Sequence, residues 1–192
     1  YRYNTLGAGL NYNHTFGSVH DLAVRLFYNH SSETVPGDNP DYKYQGLAMR
    51  AQYGFNKRYY AEVTASYQGS SNYRSGKRTG FFPAVGLAWV ASDEKWLQSA
   101  EAIDFLKFRV SYGVNGNDQT GGRRFPYRQE FTSSGGYAFG NPNGSTDGSQ
   151  EGVLANPDET WEKSYKFNVG FDLELWRGLS FTMNYFNEKR RD

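Results

Sequence analysis

Residues 163–175 read KSYKFNVGFDLEL and alternate between apolar and polar side chains over their whole length. The apolar positions are Tyr165, Phe167, Val169, Phe171, Leu173 and Leu175. The polar positions between them include Lys166, Asn168, Asp172 and Glu174. Because successive side chains of a β-strand point to opposite faces, this period of two predicts a strand with one apolar and one polar face.

Seven other segments of the chain alternate in the same way. They span residues 5–16, 20–30, 46–55, 59–68, 80–91, 105–114 and 179–188. Strands of soluble proteins average about 5–6 residues, whereas a strand that crosses a membrane needs about 9–11. The lengths therefore favour an antiparallel transmembrane β-barrel. Alternation alone would also fit a soluble barrel or sandwich, and that alternative stays open here.

The composition supports an all-β chain and excludes several function classes. The 192 residues include 16 Tyr, 14 Phe and 22 Gly, which favour strands and turns. The net charge of +1 gives no electrostatic case for nucleic-acid binding, and the absence of Cys excludes disulfide and thiol chemistry. Mean hydropathy is −0.78, and the sequence has no apolar run long enough for a transmembrane helix.

Short and long connections alternate between the predicted strands. The short ones are residues 17–18, 56–58 and 176–178, and the long polar ones are about 31–45, 69–79 and 115–160. This alternation is typical of outer-membrane barrels, which have short periplasmic turns and long external loops. The intermediate connection at about 92–104 begins with SDEKWL, which predicts a short helix with Ser92 as its N-cap.

Six stretches carry a resemblance to a known family. They are YQGSS (67–71), GFFPAVGLAW (80–89), SDEKWL (92–97), LKFRVSYGVNGN (106–117), NPDETWEKS (156–164) and NYFNEKRRD (184–192). In this order they resemble the SusC/RagA-type TonB-dependent outer-membrane transporters. The sequence departs from the family pattern at Gln68, Ala88 and Glu159, where Asp, Gly and Leu are usual. The matches cover about residues 59–192, and residues 1–58 fit only as generic barrel strands.

The resemblance implies a barrel of about 22 strands, of which about eight lie in this chain. Residues 1–192 would then be a C-terminal part of that barrel, without its plug domain and chain ends. It further implies a multi-pass protein in the outer membrane of a Gram-negative bacterium that is not an enzyme. Such proteins import glycans or peptides with a SusD-like surface lipoprotein as lid, and the TonB complex supplies energy through the plug region.

Two sets of candidate functional residues follow from this hypothesis. The polar face would line a wet lumen while the apolar face meets outer-membrane lipid. The predicted lumen-facing residues are Arg25, Glu62, Lys107, Arg109, Lys166, Asp172 and Glu174. Aromatic faces beside polar groups suit sugar or peptide binding, so the long loop supplies candidate substrate contacts. These are Arg124, Phe125, Tyr127, Tyr137 and Phe139, and a loop that merely packs on itself remains the alternative.

No catalytic residue, metal site or cofactor is predicted. His14, His20 and His30 lack metal-ligand spacing. Oxygen ligands for Ca²⁺ could come from Asp38, Asn39, Asp41, Asp118 or Asp147, but these residue types also form ordinary turns. Glu159 and Glu162 could act as a glycosidase pair, although a barrel rim is the better account. A soluble binding module and a passive porin remain the alternative functions.

Overall fold

The computed structural model describes residues 1–36, 40–100, 102–119, 123–139 and 144–191, and these form ten β-strands. The strands are β1 (Arg2–Phe16), β2 (His20–Thr34), β3 (Tyr42–Phe55), β4 (Tyr59–Ser70), β5 (Thr79–Val90), β6 (Ile103–Asn117), β7 (Phe131–Phe139), β8 (Gly144–Glu151), β9 (Glu162–Leu175) and β10 (Leu179–Arg191). Eight of them form one antiparallel sheet in the order β1-β2-β3-β4-β5-β6-β9-β10. The all-β antiparallel fold and all eight predicted strands are confirmed.

Strands β7 and β8 form a separate two-stranded hairpin that the alternation did not predict. Their sequences, FTSSGGYAF and GSTDGSQE, are rich in Gly and Ser and have no apolar row of period two. The hairpin interrupts the connection between β6 and β9, which nevertheless pair directly along their length. Sequence patterning misses such a hairpin because neither of its faces is consistently apolar.

The register aligns the apolar rows of neighbouring strands on one face of the sheet. Val169 of β9 opposes Val110 of β6 on one side and Tyr185 of β10 on the other. Val85 of β5 likewise opposes Val63 of β4. We call this surface the apolar face and the opposite surface the polar face. Side chains of equal parity therefore remain together across all eight strands.

The apolar face is exposed rather than packed against a core. Leu10 is 72% exposed, Leu87 is 54% and Met183 is 55%. The buried apolar residues among those described are Tyr73, Phe82, Val90, Ala91, Phe125 and Trp161, all of which lie at strand ends or in connections. A soluble domain buries its apolar rows, so an exposed apolar face of this extent needs a partner other than water.

Aromatic rings contact one another at one end of the apolar face. His14 lies 4.2 Å from Phe16 between ring centroids, and His20 lies 5.1 Å from Phe55. Trp89 stacks on Phe108 at 5.9 Å. This is the end that carries the short turns, and we call it the turn end. The opposite end, which carries the connections 35–41, 71–78 and 118–161, is the loop end.

All three short turns have left-handed backbone conformations at both central residues. The pairs are Gly17–Ser18, Asn56–Lys57 and Trp176–Arg177, with φ between 48° and 60°. In each turn the N–H of the residue that follows the pair donates to the carbonyl that precedes it, as from Arg58 to Phe55 at 3.0 Å. These are type I′ turns, whose twist matches that of the flanking strands.

The helix predicted at 92–97 is wrong. The structure has instead a 3₁₀ helix at Ala91–Asp93, with Ser92 inside it, and Val90 before it makes no capping hydrogen bond. The backbone is already extended at Glu94, with ψ of 141°. The side chain of Glu94 is held by Tyr59 of β4 and Trp89 of β5, which directs this segment back towards the sheet.

Replacing Lys57 with glycine should stabilise the turn between β3 and β4. An L-residue pays about 1 kcal/mol in the left-handed region, and Asn-Gly is the preferred pair for a type I′ turn. The hydrogen bond from Tyr60 Oη to the carbonyl of residue 57 survives this change. We expect Lys57→Gly to raise the thermal unfolding midpoint of the full-length protein. Gly17→Ala should lower it, and shifts of the same sign in both variants would contradict this account.

Candidate substrate-facing surface

The polar face carries the charged and hydrogen-bonding side chains of the candidate site. Many small residues lie between its longer polar side chains, and we call them the small-residue floor. They include Ala23, Gly46, Ala48, Gly54, Gly86 and Ala88. Towards the turn end it forms an open concavity of about 800 Å³, which is lined in part by Glu62, Lys107 and Arg109. Because these residues are small and the charged side chains are spaced apart, the polar face leaves room for water and solute.

Charged residues on this face are joined by cross-strand contacts. Glu62 of β4 accepts hydrogen bonds from Arg50 at 2.6 Å and Gln52 at 2.8 Å, both on β3. Arg109 of β6 contacts Asp172 of β9 at 3.2 Å and Asn184 of β10 at 2.8 Å. Solvent-exposed pairs of this kind contribute at most about 1 kcal/mol each. Their main effect is to fix the direction in which each side chain projects.

The seven predicted lumen-facing residues all lie on the polar face. Arg25 opposes Arg50, Glu62 opposes Gln52, and Lys107 opposes Asp172 in the strand register. Lys166 contacts Glu188 at 4.0 Å, and Glu174 opposes Ser180 near the turn end. Arg109 Nε is the one buried side-chain nitrogen or oxygen without a hydrogen-bond partner among the described residues. The seven are spread along the wall and do not converge on a single site.

At the loop end, the connections fold over the polar face. Phe82 and Tyr44 project from that face and pack against Trp161, which is 2% exposed. The Trp161 ring lies 5.2 Å from Phe82 and 5.7 Å from Tyr73 between centroids. Its Nε1 donates to the carbonyl of Arg78 at 3.0 Å. The family-like Trp161 therefore joins the connection before β9 to the connection between β4 and β5.

Asn72 connects three segments at this end. Its Nδ2 donates to the Asp118 carbonyl at 2.6 Å, and its Oδ1 accepts from the Phe125 backbone N–H at 2.7 Å. Asp118 Oδ2 in turn accepts from Tyr42 Oη at 2.5 Å. Asn72 is only 3% exposed, and its own two hydrogen bonds each replace water at a buried backbone group. The sequence offered no signal for this role beyond an ordinary turn asparagine.

The predicted substrate contacts in the long loop have different environments. Arg124 is exposed, pairs with Glu33 of β2 at 2.7 Å, and lies over the Tyr42 ring at 5.3 Å. Phe125 is 2% exposed and contacts the partly buried Tyr127 with ring centroids 6.4 Å apart. Phe125 therefore packs within the layer that the connections at the loop end form over the polar face, which we call the loop layer. The backbones of Tyr137 and Phe139 belong to β7.

Arg123, which was not predicted as a functional residue, anchors the base of the β7–β8 hairpin. Its guanidinium donates to the carbonyls of Arg128, Val153 and Leu154 at 3.0–3.2 Å and pairs with Glu130 at 3.3 Å. One planar cation thus satisfies carbonyls on both sides of the hairpin. Its neighbour Arg124 has the same side chain in a different role, and composition alone could not distinguish them.

The candidate metal ligands and acids do not converge. No group of three His, Asp or Glu side chains in the described ranges could hold a metal ion. Asp118 is held by Tyr42, and Glu162 accepts from Asn117 at 3.0 Å. Asp38 and Asn39 lie outside the described residues. No helix within the described part of the chain is long and apolar enough to cross a membrane.

Glu94 anchors the connection 91–102 at the turn end. It accepts from Tyr59 Oη at 2.5 Å and from Trp89 Nε1 at 3.3 Å, and it pairs with Arg58 at 3.5 Å. The hydrogen bond from Tyr59 is the main cause that lowers the pKa of the Glu94 carboxyl, and Trp89 and Arg58 act in the same direction against partial desolvation. The carboxylate is thus the favoured form.

Comparisons with known proteins confirm the resemblance. No family model matches the chain. A TonB-dependent receptor of Formosa agariphila is 28% identical over 180 residues, which is 92% of this chain and 16% of that protein. The TonB-dependent receptor SusC of Bacteroides thetaiotaomicron is 30% identical over 132 residues, which is 67% of this chain and 13% of SusC. The chain therefore spans less than a fifth of the length of these curated relatives.

The fold also matches solved structures. A chain in a structure of the RagAB peptide transporter aligns with a TM-score of 0.81 and 20% identity, covering 98% of this chain and 23% of that one. A structure of the RagAB peptide importer in the 'closed-closed' state gives a TM-score of 0.82 with 19% identity, covering 99% of this chain and 24% of that one. At this identity the likeness shows the fold alone.

Replacing Asn72 with alanine should release the loop layer from the sheet. The change leaves the Phe125 N–H and the Asp118 carbonyl buried without partners, at about 1–3 kcal/mol for each group. We expect hydrogen exchange at residues 123–130 of the full-length protein to lose protection while the eight strands keep theirs. Asn115→Ala, at an exposed asparagine of β6, is the control. Equal protection in both variants would contradict the role of Asn72.

Acidification should loosen the connection 91–102. Because the pKa of Glu94 is lowered in the folded protein, its stabilising contribution is complete above the ordinary glutamate pKa and is lost as the pH falls through the folded value. Protection factors at residues 94–100 should be constant from neutral pH to about pH 5 and fall below about pH 4. In Glu94→Gln this pH step should disappear. If the fall in protection below about pH 4 persists in Glu94→Gln, a group other than Glu94 causes it.

Proposed function

We propose that this chain, which is similar in sequence and in fold to a barrel segment of the SusC/RagA-type TonB-dependent receptors, forms part of the wall of an outer-membrane importer of glycans or peptides. The single observation that carries the proposal is the segregation of the sheet into an exposed apolar face and a polar face. Lipid on one side and an aqueous lumen on the other satisfy both faces at once.

Bilayer dimensions support this assignment. β2, with 15 residues, is roughly 50 Å long at about 3.3 Å per residue. At the usual tilt of about 45° it rises roughly 35 Å along the membrane normal, against a hydrocarbon core of about 30 Å. The sheet is thus long enough to cross the membrane. The aromatic contacts at the turn end then lie at the level of the lipid headgroups, where Trp and Tyr are enriched.

The polar face would then line the aqueous lumen of the barrel. We assign Arg25, Glu62, Lys107, Arg109, Lys166, Asp172 and Glu174 to the aqueous side of the wall. Cross-strand contacts at Glu62, Arg109 and Lys166 place their charges against the wall and leave the small-residue floor open. Solute would move along this floor during import. The spread of these residues favours a transport path over a single tight binding site.

The mouth of the lumen lies at the loop end. The layer held by Asn72 and Trp161 folds over the polar face and so narrows the external opening. In this position Arg124 and Tyr127 are available for substrate contact, and Phe125 supports them from within the layer. We also propose Tyr137 and Phe139 as substrate contacts, because β7 extends from this layer.

The remaining parts of the importer lie outside this chain. We propose that residues 1–192 are a C-terminal part of the barrel, that a SusD-like lipoprotein covers the external mouth, and that a plug domain links the receptor to the TonB complex. The RagAB structures, which have the same fold over this segment, are those of a peptide importer, and this supports import for this architecture. The location is then the outer membrane of a Gram-negative bacterium.

Uptake by the full-length receptor tests the import function. Cells that express it should accumulate a labelled oligosaccharide or peptide from a panel only while TonB is present. Uptake that is independent of TonB would indicate a passive porin. A chain that remains monomeric and folded in water without detergent would indicate a soluble binding module instead.

A matched pair of arginine substitutions tests which face meets lipid. Val169 and Asn168 are neighbours at the centre of β9 and project to opposite faces. Val169→Arg should cost about 2–4 kcal/mol, the value for arginine on the lipid face near mid-bilayer, whereas Asn168→Arg should cost much less. The readout is the fraction of full-length protein in outer membranes that migrates as the folded, heat-modifiable form. Equal assembly of both variants would contradict the assignment of the apolar face to lipid.

A further inference from the structure

The apolar face carries a groove towards its turn end. The volume of this groove is about 640 Å³, and Tyr53, Ala61, Leu87 and Val110 are among the residues that line it. These four residues form one row across β3, β4, β5 and β6. Ala61 is the smallest of them, so its methyl group leaves a gap between the larger side chains of Tyr53 and Leu87. We call this feature the Ala61 groove.

A ridge of aromatic rings borders the Ala61 groove on the side of the turns. In the next row of the register Tyr59 opposes Trp89, which opposes Phe108, and all three line the groove. Tyr59 Oη and Trp89 Nε1 both donate to the carboxylate of Glu94, in the connection 91–102. The rings therefore give the groove an apolar border and keep their polar atoms at the turn end. Aromatic side chains have this orientation at a membrane interface.

Basic side chains accompany this ridge at the turn end. Arg58 directly precedes Tyr59, and its Nη1 pairs with Glu94 at 3.5 Å. Among the described residues this is the one ion pair of the Arg58 guanidinium, so most of its five N–H donors remain for a ligand. Lys57 and Lys95 are exposed on either side in the sequence. The turn end of the groove thus has three cations against the carboxylates of Glu94 and Asp93.

We propose that the Ala61 groove binds one membrane phospholipid, with an acyl chain over Ala61 and the phosphate at Arg58. Burial of the acyl chain removes apolar surface of Ala61 and Leu87 from contact with mobile lipid. A guanidinium binds phosphate through two parallel N–H···O bonds, and basic pockets at a membrane surface hold lipid headgroups. The inference rests on the proposed membrane location and assigns a ligand to the outer surface of the wall, away from the transport path.

The parts of the receptor outside this chain leave the Ala61 groove accessible. A plug inside the barrel would contact the polar face, which is the other side of the sheet. Further strands of the barrel would pair with β1 and β10, the two edge strands of the sheet. The groove lies on β3 to β6, in the middle of the sheet and on its apolar face. Its surface is therefore turned towards lipid in a closed barrel as well.

The dimensions of the groove favour an acyl chain over a protein partner. Neighbouring strands are roughly 4.8 Å apart, so the strands that carry Tyr53 and Leu87 are separated by roughly 10 Å. The side chains of these two residues occupy much of that width. A helix is about 10–12 Å across with its side chains and does not enter such a gap, whereas a single hydrocarbon chain does.

Native mass spectrometry of the purified full-length receptor in mild detergent tests the site. The probes are dipalmitoyl phosphatidylglycerol, dipalmitoyl phosphatidylethanolamine and dipalmitoyl glycerol, which lacks the phosphate. We expect one phospholipid to bind each receptor at least tenfold more tightly than dipalmitoyl glycerol does. Ala61→Phe fills the groove and should weaken phospholipid binding at least tenfold. Arg58→Gln should remove the preference for phospholipid over dipalmitoyl glycerol, and Arg58→Lys, which keeps the charge, should retain it.

Matched controls separate this site from the general lipid layer around the barrel. Ala65→Phe makes the same change on the same strand and face, opposite Met49 and Pro83 and further from the turns. Arg177→Gln removes an exposed arginine from another short turn. Both should leave phospholipid binding within twofold of wild type. Equal loss in Ala61→Phe and Ala65→Phe, or equal binding of phospholipid and dipalmitoyl glycerol by the wild type, overturns the proposal.

Two further outcomes are also decisive. If Ala61→Phe does not fold, the comparison of Arg58→Gln with Arg58→Lys decides, because both variants leave the groove itself unchanged. If the wild type forms dimers without bound phospholipid, the groove is an interface between two copies and the proposal fails. A receptor that shows TonB-dependent uptake but retains no phospholipid remains an importer without this site. A receptor that is folded in water without detergent loses both proposals together.

Discussion

The antiparallel hydrogen-bond register is the constraint on which the rest of the structure depends. Since side chains alternate between faces, a slip of one residue between any two strands would move the apolar row of one strand onto the polar face of the next. The register holds without a shift through every pair of the main sheet except between Ile103 and Phe105, where β6 begins beside β9. That irregularity lies at the turn end, outside the central rows, so the two faces remain separate.

The same register explains why the loop end can have a small core of its own. Tyr44 and Phe82 belong to the polar face, yet Trp161 and Tyr73 cover them and exclude water. The buried backbone groups of this layer then need partners, and Asn72 supplies them from a single side chain. A sheet with one exposed apolar face can thus bury a few aromatic residues on its other side, provided that polar groups buried with them are paired.

The sequence predicted those features that depend on periodicity and left out those that depend on contacts distant in the chain. Eight strands followed from alternation because each has a continuous apolar row, whereas β7 and β8 have none. The prediction of a helix capped by Ser92 was wrong because the side chain of Glu94 is hydrogen-bonded to Tyr59 and Trp89. Local helix propensity carries no information about such contacts with other strands. The polar-face positions of the charged candidates were predictable by parity alone. The burial of Phe125 was not, because it depends on the backbone contact with Asn72.

Glycines beside phenylalanine rings illustrate how one local arrangement serves two purposes. At Gly80 and Gly116, a Cβ would stand 2.4 Å and 2.0 Å from the Phe82 ring, so a side chain there requires the ring to move. Trp161 holds that ring in place, and the result is a closed, buried cluster. At Gly7 and Gly9 the spacing to Phe27 is that of ordinary contact, and no second aromatic residue covers the ring among the described residues. Ring and glycine therefore form a closed, buried cluster where a connection covers them, and an exposed aromatic surface where none of the described residues does.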